Sequence, residues 1–203
     1  MMTKFWNVRY KSDEYFYGEE PNTFIKEQAF RLANHNKVIA FAEGEGRNAV
    51  FLARQGNEVT AIDYSEDGLE KTKKLAEKHN VNVHTKKVDL LADSLPENEY
   101  DAAIMVFGHF HDNYKKMILG KMIQTIKPGG LIMFEVYSKK QINYSTGGPK
   151  DVDMLYDPID ILTWCEEHKV IHFFNGEQER IEGKGHTGLA DVIQVVIRNE
   201  YKC

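Results

Sequence analysis

From Val38 onward, short apolar runs alternate with amphipathic stretches, the pattern of repeated strand and helix units around a mainly parallel sheet. The runs Val38 to Ala42, Val59 to Asp63, Val83 to Val88, Asp101 to Phe107 and Leu131 to Val136 are predicted strands. Several are apolar throughout, as expected when helices cover both faces of a sheet. Between them, Arg47 to Gln55 reads as a helix that stops at Gly56, a residue able to take the left-handed conformation. Ser65 is placed to cap the next helix, with Glu66 and Asp67 in its positive first turn. Asp112 is expected to cap a third, whose Tyr114, Met117, Ile118 and Met122 keep helical spacing until Lys127-Pro128-Gly129-Gly130 turns the chain into a strand. Asp157-Pro158 opens a fourth, with proline where its missing N–H costs nothing.

The C-terminal part follows another rule. Val170 to Asn175 and Leu189 to Arg198 read as consecutive strands without a helix between them, so they are expected to pair as an antiparallel hairpin. Two polar segments, Ser138 to Tyr156 and the glycine-rich Gly176 to Gly188, are expected to be long loops. Loops of that length are uncommon in compact domains unless they act as lids or binding loops, and substrate lids are the favoured reading. No internal repeat is visible.

Length and composition fit one ordinary globular domain: 203 residues, 42% hydrophobic and 28% charged. The formal net charge of −5 argues against general affinity for nucleic acid, which needs cations to neutralise phosphates. Lys71, Lys73, Lys74, Lys78, Lys86 and Lys87 form a local basic run interrupted by Glu70 and Glu77, expected to be a solvated helix face. The two cysteines, Cys165 and Cys203, imply no disulfide framework. Met1-Met2-Thr3-Lys4-Phe5-Trp6-Asn7 lacks the apolar core of a signal peptide, and no apolar run approaches membrane-spanning length. A cytoplasmic protein without membrane partners is expected, as monomer or homodimer.

The segment richest in chemistry is Ala40-Phe41-Ala42-Glu43-Gly44-Glu45-Gly46-Arg47-Asn48-Ala49, which joins the first strand to a helix. Gly44 and Gly46 remove side chains where the backbone turns tightly and a ligand approaches closely. Asp63, at the end of the second strand, is placed to accept both ribose hydroxyls of an adenosine-containing cofactor. Gly44-x-Gly46-x-x-Ala49 also fits a dinucleotide fingerprint, so two cofactor classes remain. Electrostatics separates them. A dinucleotide sets a pyrophosphate at this turn, whereas S-adenosylmethionine (SAM) sets a cationic methionyl sulfonium there, and Glu43 and Glu45 flank the glycines. A carboxylate about 4 Å from a phosphate, at an effective dielectric near 20, costs on the order of 4 kcal/mol, roughly a thousandfold in affinity. The sign favours SAM.

Other positions agree. Asp89, after the third strand, can accept from an adenine amino group while Leu90 packs on the ring, and Tyr64 can cover another part of it. Tyr100-Asp101 starts the fourth strand, which ends at Phe107-Gly108-His109, and Lys127-Pro128-Gly129-Gly130 precedes the fifth. In order and spacing these elements resemble the motifs of class I SAM-dependent methyltransferases from Val38 to the C-terminus. Within that class, Glu43-Gly44-Glu45-Gly46-Arg47-Asn48-Ala49 is similar to the first motif of the small bacterial tellurite-resistance and thiopurine methyltransferase-like group. Tyr15-Phe16-Tyr17-Gly18-Glu19-Glu20-Pro21-Asn22 resembles that group's aromatic segment, which closes over the donor. One departure is clear: an acid usually stands two residues before the first glycine, whereas here Ala40 and Ala42 occupy those positions and Glu43 is the substitute.

The resemblance implies an α/β, Rossmann-like three-layer sandwich with a seven-stranded, mostly parallel sheet and an antiparallel C-terminal hairpin. It implies residues 1–37 covering the cofactor site of a methyltransferase domain at 38–203, a single domain overall. It further implies SAM as cofactor, S-adenosylhomocysteine (SAH) as product, and Tyr17, Glu43, Gly44, Gly46, Asp63, Tyr64, Asp89, Leu90 and Phe107 in the cofactor site. The acceptor is expected to be a small molecule bound beyond the carboxyl ends of the strands. A thiol, selenium or tellurium species needs alignment more than a base, since proximity contributes roughly 7–11 kcal/mol, whereas a hydroxyl or ammonium needs proton removal. His109 and Tyr137 are the acceptor-side catalytic candidates, with Glu135, His111 and His186 nearby in the chain. His109 as a structural hydrogen-bonding residue, Tyr15 and Tyr17 as packing residues, and Arg47 and Asn48 as anion ligands or helix-start residues all stay open. His109-x-His111 has no third ligand at metal-site spacing, so no metal is expected. A dinucleotide-dependent oxidoreductase and a SAM-binding module without turnover are the alternatives.

Overall fold

In the computed structural model, residues 6, 9–12 and 14–200 are described. Apart from Trp6, the stretch read for a leader peptide lies outside them, as does Cys203.

Five strands run parallel: β1 (Lys37–Phe41), β2 (Glu58–Asp63), β3 (Val83–Lys87), β4 (Tyr100–Val106) and β5 (Ile126–Tyr137). Two more, β6 (Lys169–Glu182) and β7 (His186–Arg198), form an antiparallel hairpin, and β7 inserts antiparallel beside β5. The seven-stranded order is β3-β2-β1-β4-β5-β7-β6, so the direction of winding reverses between β1 and β4. At such a switch point the carboxyl ends of the strands leave a crevice for ligands.

Alternation along β1 shows how the layers form: Val38 and Ala40 face one core, Ile39 and Phe41 the other. The first core is closed by α1 (Thr23–Gln28), α2 (Arg47–Arg54) and α3 (Glu66–Lys78) through Phe24, Leu52 and Leu75. The second is closed by α4 (Asp112–Thr125) and α5 (Pro158–Trp164) through Ile118, Met122 and Ile161. Ser65 caps α3 by accepting the Gly68 N–H, and Asp157 caps α5 by accepting the Ile159 N–H ahead of Pro158.

Four expectations are corrected. Gly176 to Gly188 is no lid: Gln178 to Glu182 pairs with Ala190 to His186, extending the hairpin to a tight turn. Glycine at this tip serves close approach, because a Cβ on Gly183 would lie 2.4 Å from the Tyr17 carbonyl carbon. Asp112 is not the cap of its helix: His111 holds the N-cap position without a side-chain cap bond, and Asp112 pairs with Lys115 one turn on. Lys71 does not lie on a solvated face, since it is buried in an ion pair. Lys127 to Gly130 forms an irregularity within β5, whose pairing with β4 shifts register between Tyr100 and Ala102. Ser138 to Tyr156 does leave the sheet, with two 3-10 turns, but a parallel bridge between Ser138 and Tyr156 ties its ends together.

Candidate functional site

The turn after β1 is built by backbone conformation: Ala42, Gly44 and Gly46 all have positive φ, at 47°, 64° and 89°. This reverses the chain so that α2 starts directly beside the carboxyl ends of β1 and β2. Gly46 is required by packing, since a Cβ there would lie 2.8 Å from the Thr72 Cα on α3. A Cβ on Gly44 would lie 2.6 Å from the Tyr10 hydroxyl, so an aromatic residue of the N-terminal segment makes the close approach.

Glu43 follows Ala42 into the interior. One carboxylate oxygen accepts the N–H groups of Asn48 (2.9 Å) and Ala49 (2.8 Å), occupying the positive end of α2. Burial lifts its carboxyl to about 7, against the lowering effect of those N–H bonds and of Arg47. Asp63, at the end of β2, accepts the Gly44 N–H (2.9 Å) on one oxygen and the Ser65 N–H (2.7 Å) on the other. Burial again raises its carboxyl above the usual range.

Glu45 does something the sequence pattern did not suggest. Its carboxylate pairs with Lys71 at 2.6 Å and accepts the Phe16 and Tyr17 N–H groups, each at 3.2 Å. Its charge is therefore neutralised, and it anchors the aromatic segment over the turn. The hairpin tip holds that segment from the other side, where the Lys184 N–H donates to the Phe16 carbonyl at 3.0 Å.

These elements enclose a cavity of about 400 Å³, lined by Glu43, Asp63, Tyr64, Asp89, Leu90 and Phe107 among others, and roofed by Trp6, Tyr10 and Tyr17. Gly44 and Gly46 do not line it. A second cavity of about 350 Å³ adjoins it. Trp6, Tyr17, His109 and His186 line both, so they form the wall between the two. Phe107 has positive φ, 53°, and stacks on Tyr137 at 4.2 Å. His109 lies nearly parallel to Tyr137 at 6.0 Å. Burial, then Arg9, holds His109 down to about 4, and burial holds His186 well below its ordinary value, so both imidazoles are neutral at pH 7.

The remaining candidates are placed otherwise. Tyr137 is 1% exposed and lines neither cavity; its hydroxyl has no hydrogen-bond partner. Glu135 faces a buried network rather than an acceptor, bonded to Arg180, to Gln194 (2.6 Å) and to Asn22 (2.8 Å). Arg47 reaches into the first cavity but is bound to Glu182 at 2.7 Å, and Asn48 accepts the Asn22 N–H at 2.9 Å. His111 is partly exposed, 4.0 Å from Asp151. Among the described residues, no group of three His, Cys, Asp or Glu is arranged to hold a metal ion.

Sequence reasoning missed Trp6, Arg9 and Tyr10. Trp6 and Tyr10 are four residues apart, the spacing that stacks side chains on one helix face, and their rings lie 5.7 Å apart. That spacing was the available signal.

Residues 38–130 match the methyltransferase domain family. Over 124 residues the chain is 27% identical to a probable S-adenosyl-L-methionine-dependent methyltransferase TehB of Haemophilus influenzae, covering 59% of this chain and 43% of the relative. The chain thus spans less than half the length of the curated relatives it matches. Among solved structures, TehB from Haemophilus influenzae superposes with a TM-score of 0.72 at 17% identity, covering 98% of this chain and 67% of that one. A protein solved in work on the conversion of a disulfide bond into a thioacetal group during echinomycin biosynthesis superposes at 0.79 with 13% identity, covering 100% and 94%. These likenesses establish the fold.

Proposed function

We infer that the chain is a class I SAM-dependent methyltransferase close to the TehB group, and that it methylates a small-molecule acceptor. The observation that carries this reading is the carboxylate of Glu43 on the first turn of α2. A dinucleotide needs those N–H groups for its pyrophosphate. Here Asn48 and Ala49 already donate to a carboxylate, and an anion placed beside it meets like charge. A cationic ligand meets attraction instead.

The residues fit SAM. Among the described residues, Glu43, Asp63 and Asp89 line the first cavity with their carboxylates, while Arg47 is neutralised by Glu182. Asp63 lies at the end of β2 on the cavity wall, where its carboxylate is offered to the ribose hydroxyls. Glu43 takes the place of the absent acid at 42 and faces the methionyl ammonium. Asp89, Leu90 and Tyr64 surround the adenine, Phe107 and Tyr17 close the remaining sides, and Gly44 and Gly46 hold the turn.

When bound, SAM supplies a methyl group on a sulfonium whose leaving group is already good. The chain's own work is alignment and exclusion of water. Neutral His109 and His186 line the passage without adding a positive charge that would repel the donor. Tyr137 acts through Phe107 and His109, as a positioning residue that backs both rings. Residues 1–37 serve as the cover and 38–203 as the catalytic domain. The acceptor is a thiol, selenium or tellurium species, chemistry that these weakly basic histidines do not limit. No described helix is long and apolar enough to cross a membrane, and a cytoplasmic setting is part of the proposal. Single-turnover reactions with methyl-labelled SAM and a panel of thiols, selenite, tellurite and small amines test this reading. Label on at least one soft acceptor and none on amines is expected; label on amines alone contradicts it.

A further inference from the structure

The roof of the first cavity is fastened by a carboxylate that does not line that cavity. Glu45 is 3% exposed and stands between Gly44 and Gly46, in the same turn that meets Asp63 through the Gly44 N–H. Its oxygens divide the contacts: Oε1 accepts the Phe16 N–H and Oε2 the Tyr17 N–H, each at 3.2 Å. Two adjacent N–H groups on two oxygens of one side chain call for a carboxylate, since an amide offers a single acceptor oxygen and sets its own N–H against the second donor. Lys71 pairs with this carboxylate at 2.6 Å and also donates to the Glu14 carbonyl at 2.7 Å. The Tyr15 hydroxyl in turn donates to the Lys71 carbonyl at 3.0 Å. Four consecutive residues, Glu14 to Tyr17, are thereby tied to one buried ion pair.

The tied stretch carries part of the roof. Tyr17 lines both cavities and packs on the His186 ring at 4.5 Å, while Trp6 and Tyr10 stack beside it over the first cavity. A ligand seated against Asp63 has these rings over it, and lifting them draws the Phe16 and Tyr17 N–H groups off Glu45. Each N–H parted from a charged acceptor loses a contact stronger than a neutral hydrogen bond, and opening of a lid is a common slow step after methyl transfer or any other chemistry is complete.

Resting on the methyltransferase reading, we propose that Glu45 is a positioning residue: through the backbone of Phe16 and Tyr17 it holds the roof in place, and it thereby sets how fast SAH leaves. It acts on the ligand through the roof and not by touching it. Entry takes place with the roof lifted, whether or not Glu45 is present to fasten it afterwards. Loss of the anchor therefore shortens the stay of the ligand and leaves its arrival nearly unchanged. A residue needed only for folding would lower stability without that asymmetry.

The test begins with calorimetric binding of SAH to the wild type, because absence of binding overturns the methyltransferase reading and this inference together. With binding established, labelled SAH is chased with excess unlabelled SAH to give the dissociation rate, and the association rate follows from that rate and the Kd. In Glu45→Gln dissociation should be roughly tenfold faster, the effect of one hydrogen bond to a charged acceptor, while association stays within about threefold. Glu45→Gln leaves the Lys71 ammonium buried without its carboxylate, so Glu45→Gln/Lys71→Met, which removes both charges, is measured beside it and should show the same rise. The chain holds two tryptophans, Trp6 in the roof and Trp164 on α5. In a Trp164→Phe background, acrylamide should quench Trp6 of the SAH complex more strongly once Glu45 is replaced. Gly56 lines neither cavity, and Gly56→Ala, a destabilised control, should keep the wild-type dissociation rate. Unchanged dissociation in the folded Glu45 variants, an affinity loss carried by association, equal quenching of Trp6, or the same rise in Gly56→Ala would each overturn the proposal while leaving the methyltransferase reading in place.

Discussion

The Glu43 carboxylate accepts the Ala49 N–H at 2.8 Å, setting an acid on the end of a helix where many nucleotide sites hold a phosphate. The contact orders the turn after β1 and fixes the sign of the ligand charge that the turn tolerates. Because burial lifts this carboxyl to about 7, its charge is only partly present at neutral pH without a ligand.

A pH dependence follows from that shift. The ligand's ammonium favours the ionised carboxylate, so SAH affinity should rise roughly tenfold between pH 6 and pH 8, levelling above the titration. Glu43→Gln keeps an oxygen for the two N–H groups but removes the titration, and its binding should be weaker and flat across that range. The stability effect has the opposite slope. A carboxyl raised in the folded state binds its proton there after the unfolded chain has lost it, so Glu43's contribution to stability falls as pH rises from 4.5 to about 7. Calorimetric titration and urea melts at matched pH, wild type against Glu43→Gln, check both signs.

Two glycines with the same φ of 89° separate backbone strain from packing. Gly56 has no heavy atom within 4 Å of an added Cβ, so Gly56→Ala should cost about 1 kcal/mol for its left-handed conformation alone. Gly46 faces the Thr72 backbone at 2.8 Å, so Gly46→Ala adds a clash between α2 and α3 and should cost about 1–3 kcal/mol more. Chemical denaturation of the two variants measures the difference; equal losses would show that Thr72 yields.

Glu182, at the hairpin tip, accepts from Arg47 (2.7 Å), the Asn22 side chain (3.1 Å) and the Thr23 N–H (3.1 Å). Its removal leaves a buried guanidinium without its carboxylate, and Glu182→Ala should lose about 3–5 kcal/mol of stability. Because Arg47 lines the first cavity, SAH affinity should fall as well. A variant stable within 1 kcal/mol of wild type, a range typical of surface pairs, would show that the network is less coupled than its geometry.

The hairpin also marks what the sequence left hidden. The first five strands were legible because a sheet covered on both faces requires apolar runs such as Val38-Ile39-Ala40-Phe41, and only their ends moved by a residue or so, with β5 extended at its start. The segment Gly176 to Gly188 has the local pattern of a loop because Glu177, Glu179, Arg180 and Glu182 break any apolar alternation. Arg180 and Glu182 are nevertheless buried, since their partners Glu135 and Arg47 come from distant strands and helices. Tertiary charge pairing of that kind has no local signature. The same holds for Glu45, which flanks Gly44 while Lys71, 26 residues further along the chain on α3, claims it. Asp63, Asp89 and Glu43 were legible because each follows directly on a strand or on the turn after one, where the fold leaves an opening. The whole predicted cofactor set except Gly44 and Gly46 lines one cavity.

The turn at Gly44 is expected to receive a cation-bearing adenosyl ligand with Asp63 on its ribose. Calorimetric titration of the wild type and Asp63→Ala with SAH and with NAD tests it most directly. One-to-one SAH binding is expected, at least tenfold weaker in Asp63→Ala as two hydrogen bonds to a charged acceptor are lost, with no heat from NAD. NAD binding without SAH binding, or SAH affinity indifferent to Asp63, would contradict it.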